Sequence, residues 1–236
     1  MIGAKFVIKR GARDEAEKPF WISFADLMTA LMVLFLVVMG VALLAVTKAV
    51  NEREEKEERH RKDIALILER FSEAAKRYEG IKVDKERSVI NFGERARFAF
   101  GKFNLAAEPE NAIRQFVPEI LILANDDLGK RVLKRFVIEG YTDKTGTYLS
   151  NLNLSLQRSQ RVLCAMFAVA GLNLLSDDQK QDVLSLFLVG GYSFNAAKDS
   201  DEDSRRVEVR LEFLGVGEQR AGAMAQAGNF GECALR

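Results

Sequence analysis

From Leu27 to Val46 the chain carries twenty consecutive residues without a charge. Wound as a helix at about 1.5 Å per residue, that run covers roughly 30 Å, the thickness of a bilayer's hydrocarbon core. A cleaved signal sequence is the competing explanation. Its apolar region is only about 7–15 residues and ends at a small-x-small site. This run is longer, and Leu44–Thr47 offers a poor site. The expectation is one transmembrane helix over 20–46, after an N-terminal segment 1–19. Beyond it the chain turns abruptly to water: every position from Glu52 to Asp63 except His60 is charged.

Asp26 sits at the edge of the apolar run, about two turns into a helix whose start is expected near Pro19, which suits a first turn. A carboxylate at the centre of a membrane helix costs about 2.5–3.5 kcal/mol on insertion scales, so such an acid faces protein or water and marks function. Steps of three and four place Ser23, Asp26, Ala30, Val33, Val37 and Gly40 on one slim seam. The other faces carry Phe24, Leu27, Met28, Leu31, Met32, Leu34, Phe35 and Leu36. A narrow seam suits packing against other helices and bulky faces suit lipid. Desolvation raises the pKa of an acid and solvation lowers it, so Asp26 can carry a proton between dry and wet surroundings. One helix cannot build the pathway, which implies a multi-span partner. Charge does not orient the helix: five Lys or Arg precede it and six lie within 47–62.

The segment 47–80 reads as a helical linker. Its first half is a solvated stalk and its second half places Ile64, Ile67, Leu68, Phe71, Ala75 and Tyr78 on one stripe, able either to pair two copies or to dock on the next domain. His60 has no neighbours that would complete a metal or catalytic site. After Gly80 strands and helices alternate. Strands are expected at 88–92, 97–100, 135–141, 186–190 and 206–213, with helices at 108–127, 148–170 and 177–185. Residues 81–214 suffice for one α/β domain, and the Gly- and Ala-rich 215–236 reads as a flexible tail.

Several chemistries are excluded. Thirty-five basic against 34 acidic side chains leave no excess to neutralise a phosphate backbone, so nucleic acid is not expected as a partner. There is no phosphate loop, no HExxH and no paired CxxC, hence no expected cofactor, metal or enzymatic activity. Asp143–Thr147 matches the phosphorylation motif of P-type ion pumps, but this chain has no room for their other domains. Cys233–Arg236 has a poor final residue for a prenylation box. The loop Asp199–Asp203 lacks the glycine and distal Glu of a calcium loop and reads as a solvated rim. Cys164 and Cys233 could pair, though nothing in the sequence supports it.

Two stretches resemble known families. Trp21–Met39 looks like the single membrane helix of flagellar stator B subunits of the MotB type, in which the acid matching Asp26 carries protons. Val137–Asp143, Asn151–Ser155 with Arg158, and Arg205–Glu208 resemble the OmpA-like peptidoglycan-binding domain. That family holds the diaminopimelate of the stem peptide with an Asp and an Arg fifteen residues apart, the spacing of Asp143 and Arg158. A carboxylate and a guanidinium fork complement a ligand end bearing both ammonium and carboxylate. The resemblance implies a mixed sheet packed by helices and a peptidoglycan site formed by Thr142, Asp143, Asn151, Leu154, Arg158 and Arg205. Two departures stand out: Tyr141 replaces the family's usual His, and Ser204 its usual Asn before Arg-Arg.

Pro19–Asp26 and the short basic N-terminus look most like the B components of Zorya anti-phage defence systems. That resemblance implies a homodimer within a ring of five multi-span A subunits at the bacterial inner membrane, N-terminus cytoplasmic and C-terminal domain periplasmic. A flagellar stator subunit and a passive membrane-to-wall tether remain the alternatives, with a biopolymer-transport subunit of the ExbD type behind them.

Overall fold

A computed structural model describes residues 14–93, 97–222 and 230–235. Most of the expected N-terminal segment 1–19, and part of the tail, lie outside the described residues. The chain divides into two compact units at Lys56 and Glu57. The helix α1 (Asp14–Ala75) has no interruption at either end of the apolar run.

In the first unit the side chains from Trp21 to Val50 are exposed all around the helix. Mean hydropathy reaches 2.8 there, with none of that window buried. A helix apolar on every face has no stable place in water, so this one is long and apolar enough to cross a membrane. Thr29 folds its hydroxyl back onto the Asp26 carbonyl at 2.8 Å, which satisfies it without a partner from outside the helix.

The second unit begins earlier than the expected boundary at 81. Ile67, Leu68, Phe71, Ala74 and Ala75 of α1 are buried in the same core as the sheet. Phe71 meets Phe136 edge-on at 5.9 Å, and Tyr78 meets Phe116 at 5.1 Å. The apolar stripe therefore docks on its own domain. Each large side chain so buried contributes about 1.5–3 kcal/mol. His60 contributes a hydrogen bond with the Leu214 carbonyl at 2.8 Å.

A five-stranded mixed sheet organises the rest, in the order β1-β2-β5-β3-β4. Its strands are β1 (Lys82–Asp84), β2 (Val89–Asn91), β3 (Leu133–Gly140), β4 (Phe187–Gly191) and β5 (Val207–Phe213). Only β3 and β4 run parallel; the other pairs are antiparallel. Helices α2 (Ala107–Asn125), α3 (Asp127–Val132), α4 (Tyr148–Met166) and α5 (Asp177–Leu186), with the short α6 (Asp201–Ser204), complete the domain. This is the expected α/β architecture, a mixed sheet packed by helices.

Several details depart from expectation. The helix expected at 108–127 breaks because the Asp126 side chain accepts from Gly129 N at 2.6 Å and starts α3. Arg97–Phe100 is not a strand: Arg97 makes one isolated bridge to Arg206, and beyond it the carbonyl of Ala99 bonds to a side chain. α4 stops at Met166, four residues before the expected end, and Gly171 follows at φ 124°. The tail makes contacts that a loose segment would not. The Arg220 guanidinium donates to the carbonyls of Ala124, Gly129 and Leu133 at 2.9–3.0 Å. Cys233 forms a disulfide with Cys164.

Two carboxylates lie directly opposite each other across β3 and β5, Glu139 and Glu208, both fully buried. Like charges in that position repel. Each is answered by arginine: Arg210 clasps Glu139 at 2.6 and 2.9 Å, while Arg206 and Arg87 reach Glu208 at 2.8 and 2.7 Å. Burial alone would raise the Glu208 carboxyl, but the hydrogen bonds from Arg87 and Arg206 outweigh it and hold the group below the usual glutamate range.

Gly140 and Gly191 let α4 lie against the sheet. A Cβ at Gly140 would stand 1.9 Å from the Ser155 carbonyl, and one at Gly191 2.5 Å from Leu156 Cγ. Gly140→Ala is expected to lower stability by about 1–3 kcal/mol or more, because the obstacle is backbone and overpacking has no cheap outlet; urea unfolding of the purified chain measures it. A group whose pKa is depressed on folding stabilises above its unfolded value and loses that contribution as pH falls through the folded value. Acid unfolding should therefore steepen below about pH 4.5, the ordinary glutamate value, and Glu208→Gln should flatten that slope.

Candidate functional site

The turn between β3 and α4 carries Thr142 and Asp143, and α4 itself carries Asn151, Leu154 and Arg158. Thr147 caps α4 by accepting from Ser150 N, and Gly146 takes φ 99°, a left-handed turn that a side chain would strain. Within this turn Asp143 is nearly fully buried. Its Oδ1 accepts from Thr145 N at 3.0 Å and its Oδ2 from Arg205 Nη1 at 3.2 Å. Asn151 donates to the Thr145 carbonyl at 2.9 Å and holds the turn against the helix.

Arg158 projects from α4 into the same place and has no exposed surface. Its guanidinium donates to the carbonyls of Lys102 at 3.0 Å, Tyr141 at 2.7 Å and Ala99 at 3.3 Å. The Phe98 ring lies 5.1 Å below it. Burial pushes the guanidinium pKa down to about 10, the Asp143 carboxylate working upward and Arg205 downward. It remains charged at neutral pH. A guanidinium has five N–H donors; three carbonyls take one each, which leaves two.

Asp143, Arg158, Thr142, Asn151 and Leu154 line one cavity of about 160 Å³, with Phe100, Gly101, Thr145 and Ser150. The structure thus brings five of the six expected residues to a common opening. Arg205 stands behind it, ion-paired with Asp143 and donating to the Phe98 carbonyl at 3.2 Å. The cavity is small beside the roughly 300–1,000 Å³ of drug-sized sites, and suits a compact polar head. Among the described residues the Thr142 Oγ1 is buried there without a hydrogen-bond partner, a cost of about 1–3 kcal/mol that a bound group could relieve.

Four of the lining residues, Phe100, Gly101, Thr145 and Ser150, are not among those expected from the sequence; Phe100 falls in an expected strand, whereas it belongs to a loop held by Arg158. The two departures from the family pattern have places of their own. The Tyr141 hydroxyl donates to Glu139 at 2.7 Å while the Arg206 guanidinium covers its ring at 4.2 Å. Ser204 Oγ accepts from Lys198 N and donates to the Ser200 carbonyl, both at 2.8 Å. The acidic loop ends in α6, where Asp203 pairs with Arg97.

Asp26 belongs to the first unit. Together with Thr29, Ala30, Val33, Leu34 and Val37 it lines a shallow surface on the helix. That surface contains four of the six seam positions identified from spacing.

Known proteins resemble parts of the chain and, in one case, nearly all of it. A family profile described as the membrane MotB of the proton-channel complex MotA/MotB matches residues 8–50. Similar solved structures include the OmpA-like domain of FopA1 from Francisella tularensis, 21% identical over 54% of this chain and 75% of that one, TM-score 0.36. The periplasmic domain of Helicobacter pylori MotB is 18% identical over 58% and 82%, TM-score 0.40. The cell wall anchor of the type VI secretion system from Pseudomonas aeruginosa is 21% identical over 61% and 97%, TM-score 0.36. The Zorya protein ZorB of Escherichia coli O139:H28 is 45% identical over 223 residues, 93% of this chain and 91% of that protein. At that identity and coverage, the chain belongs to the Zorya ZorB family.

Proposed function

We propose that this chain is the membrane-anchored, peptidoglycan-binding B subunit of a proton-driven, stator-like motor that acts in anti-phage defence. The observation that carries the reading is the joining in one chain of an exposed apolar helix bearing a single acid, Asp26, with a domain whose cavity gathers Asp143 and Arg158. Two copies sit within five multi-span A subunits. The Asp26 seam faces those helices and takes up and releases protons, each charge moved yielding about 2.3 kcal/mol per 100 mV of potential.

The cavity receives the zwitterionic end of the stem peptide's diaminopimelate. Its ammonium meets Asp143, and its carboxylate meets the remaining Arg158 donors and the Thr142 hydroxyl. Thr142, Asn151 and Leu154 shape the opening, while Arg205 fixes the Asp143 carboxylate. The domain lies in the periplasm and the N-terminus in the cytoplasm. The Cys164–Cys233 disulfide supports that orientation, because such bonds persist in oxidising compartments and are rare in the cytosol. Wall-bound, the domain resists rotation, so that turning of the A ring becomes the signal.

Asp143→Asn keeps size and the Thr145 hydrogen bond but removes the charge. Loss of one charge-assisted bond of about 1.5–3 kcal/mol should weaken co-sedimentation with isolated sacculi about 10- to 100-fold, with unfolding near that of the parent; undiminished binding contradicts the site. Asp26→Asn should abolish proton flux and phage protection while the A–B complex still purifies intact. Retained protection would rule out the motor.

A further inference from the structure

The two edges of the sheet are finished differently. β1 is three residues long, carries Lys82 and Asp84, and is followed by Lys85, which pairs with Glu69. Short charged edges of this kind resist further strand pairing. The opposite edge, β4, lies in a stretch without a charge or proline from Leu186 to Ala197, and its register with β3 is unbroken. Leu188 and Val189 on it are 47% and 39% exposed. Among the described residues no charge, proline or bulge protects this edge.

The backbone of β4 is half engaged. Tyr192 N donates to the Gly140 carbonyl at 3.0 Å. Strand alternation turns the polar groups of Leu188 and Gly190 to that same inner side, so those of Phe187, Val189 and Gly191 point outward. Apolar side chains flank the edge on both faces. A Cβ on Gly191 would meet Leu156, which places Val189 on the Leu156 face; a Cβ on Gly190 would meet Tyr192, which places Leu188 on the Tyr192 face. Leu156 and Tyr192 are themselves exposed.

We infer that β4 pairs antiparallel with β4 of a second copy of this chain, Val189 opposite Val189, making one ten-stranded sheet from two. A two-fold interface must complement itself. An edge without charge meets its own kind with no like-charge repulsion, and this register joins the outward groups of Phe187 to those of Gly191. A five-residue edge and four side chains bury less than the roughly 1,200 Å² of a stable soluble dimer. The pairing therefore depends on the high local concentration of copies held in one membrane. The inference deepens the dimeric reading above and rests on it.

The test uses the full chain in its native membranes. Cys164 and Cys233 are joined to each other, so Val189→Cys supplies the free thiol. Oxidation with copper phenanthroline should give a covalent dimer for Val189→Cys and monomer for Lys82→Cys on the opposite edge. Adding Leu188→Lys should cut the Val189→Cys dimer at least tenfold. Co-purification of differently tagged copies separates the two claims. If tagged copies co-purify while Val189→Cys stays monomeric, the edge pairing is overturned and the dimer stands. If no copies co-purify, the dimeric reading falls with it. Equal cross-linking at both edges means random collision and overturns the edge pairing as well.

Discussion

The buried Arg158 guanidinium is the interaction on which the domain's functional end depends. One side chain bonds to backbone at Ala99, Lys102 and Tyr141, and so ties a loop, the end of a strand and a helix to a single point. A buried charge left unpaired would cost several kcal/mol, which these carbonyls and the nearby Asp143 carboxylate offset. The arrangement has a chemical consequence. An arginine whose position is fixed by three carbonyls loses little freedom when it binds an anion, so its remaining donors are already oriented. On the proposed reading, structural and recognition roles coincide in one residue. They do so because Gly140 lets α4 approach β3 closely enough for Arg158 to reach.

Charge is handled oppositely in the two units. In the sheet, Glu139 and Glu208 are buried but answered by Arg210, Arg206 and Arg87. On the apolar part of α1, Asp26 has no basic residue beside it on the helix; the nearest in sequence on the C-terminal side is Lys48. A buried carboxylate paired with arginine avoids the cost of an unpaired buried charge. An acid without a fixed counter-charge responds to its surroundings, which is what a proton carrier requires. A carboxylate thus serves as a strut in one place and, on the proposed reading, as a proton carrier in the other.

Much of this was legible in the sequence. Twenty uncharged residues admit few interpretations, and strict alternation in Val207–Phe213 gave β5. Asp143 and Arg158 reach the same opening because four residues of turn are followed by about three turns of α4. What was not legible depended on long-range partners. Arg97–Phe100 looks like a strand by composition, but a distant arginine takes its backbone. Whether the α1 stripe would dock on its own domain or a second copy turned on a matching core of Phe116 and Phe136, invisible locally. The tail looks featureless because Arg220 and Cys233 find their partners about 70 to 100 residues away.

On the proposed reading, the cavity beside Asp143 and Arg158 recognises a zwitterionic wall peptide while Asp26 works in the membrane. The most direct test of that reading is a structure of the chain with a stem peptide ending in diaminopimelate. The expected result is the ligand's ammonium on the Asp143 carboxylate and its carboxylate on the remaining Arg158 donors, with Thr142 Oγ1 now hydrogen-bonded. A peptide seated elsewhere on the domain, with the cavity unchanged, would contradict it.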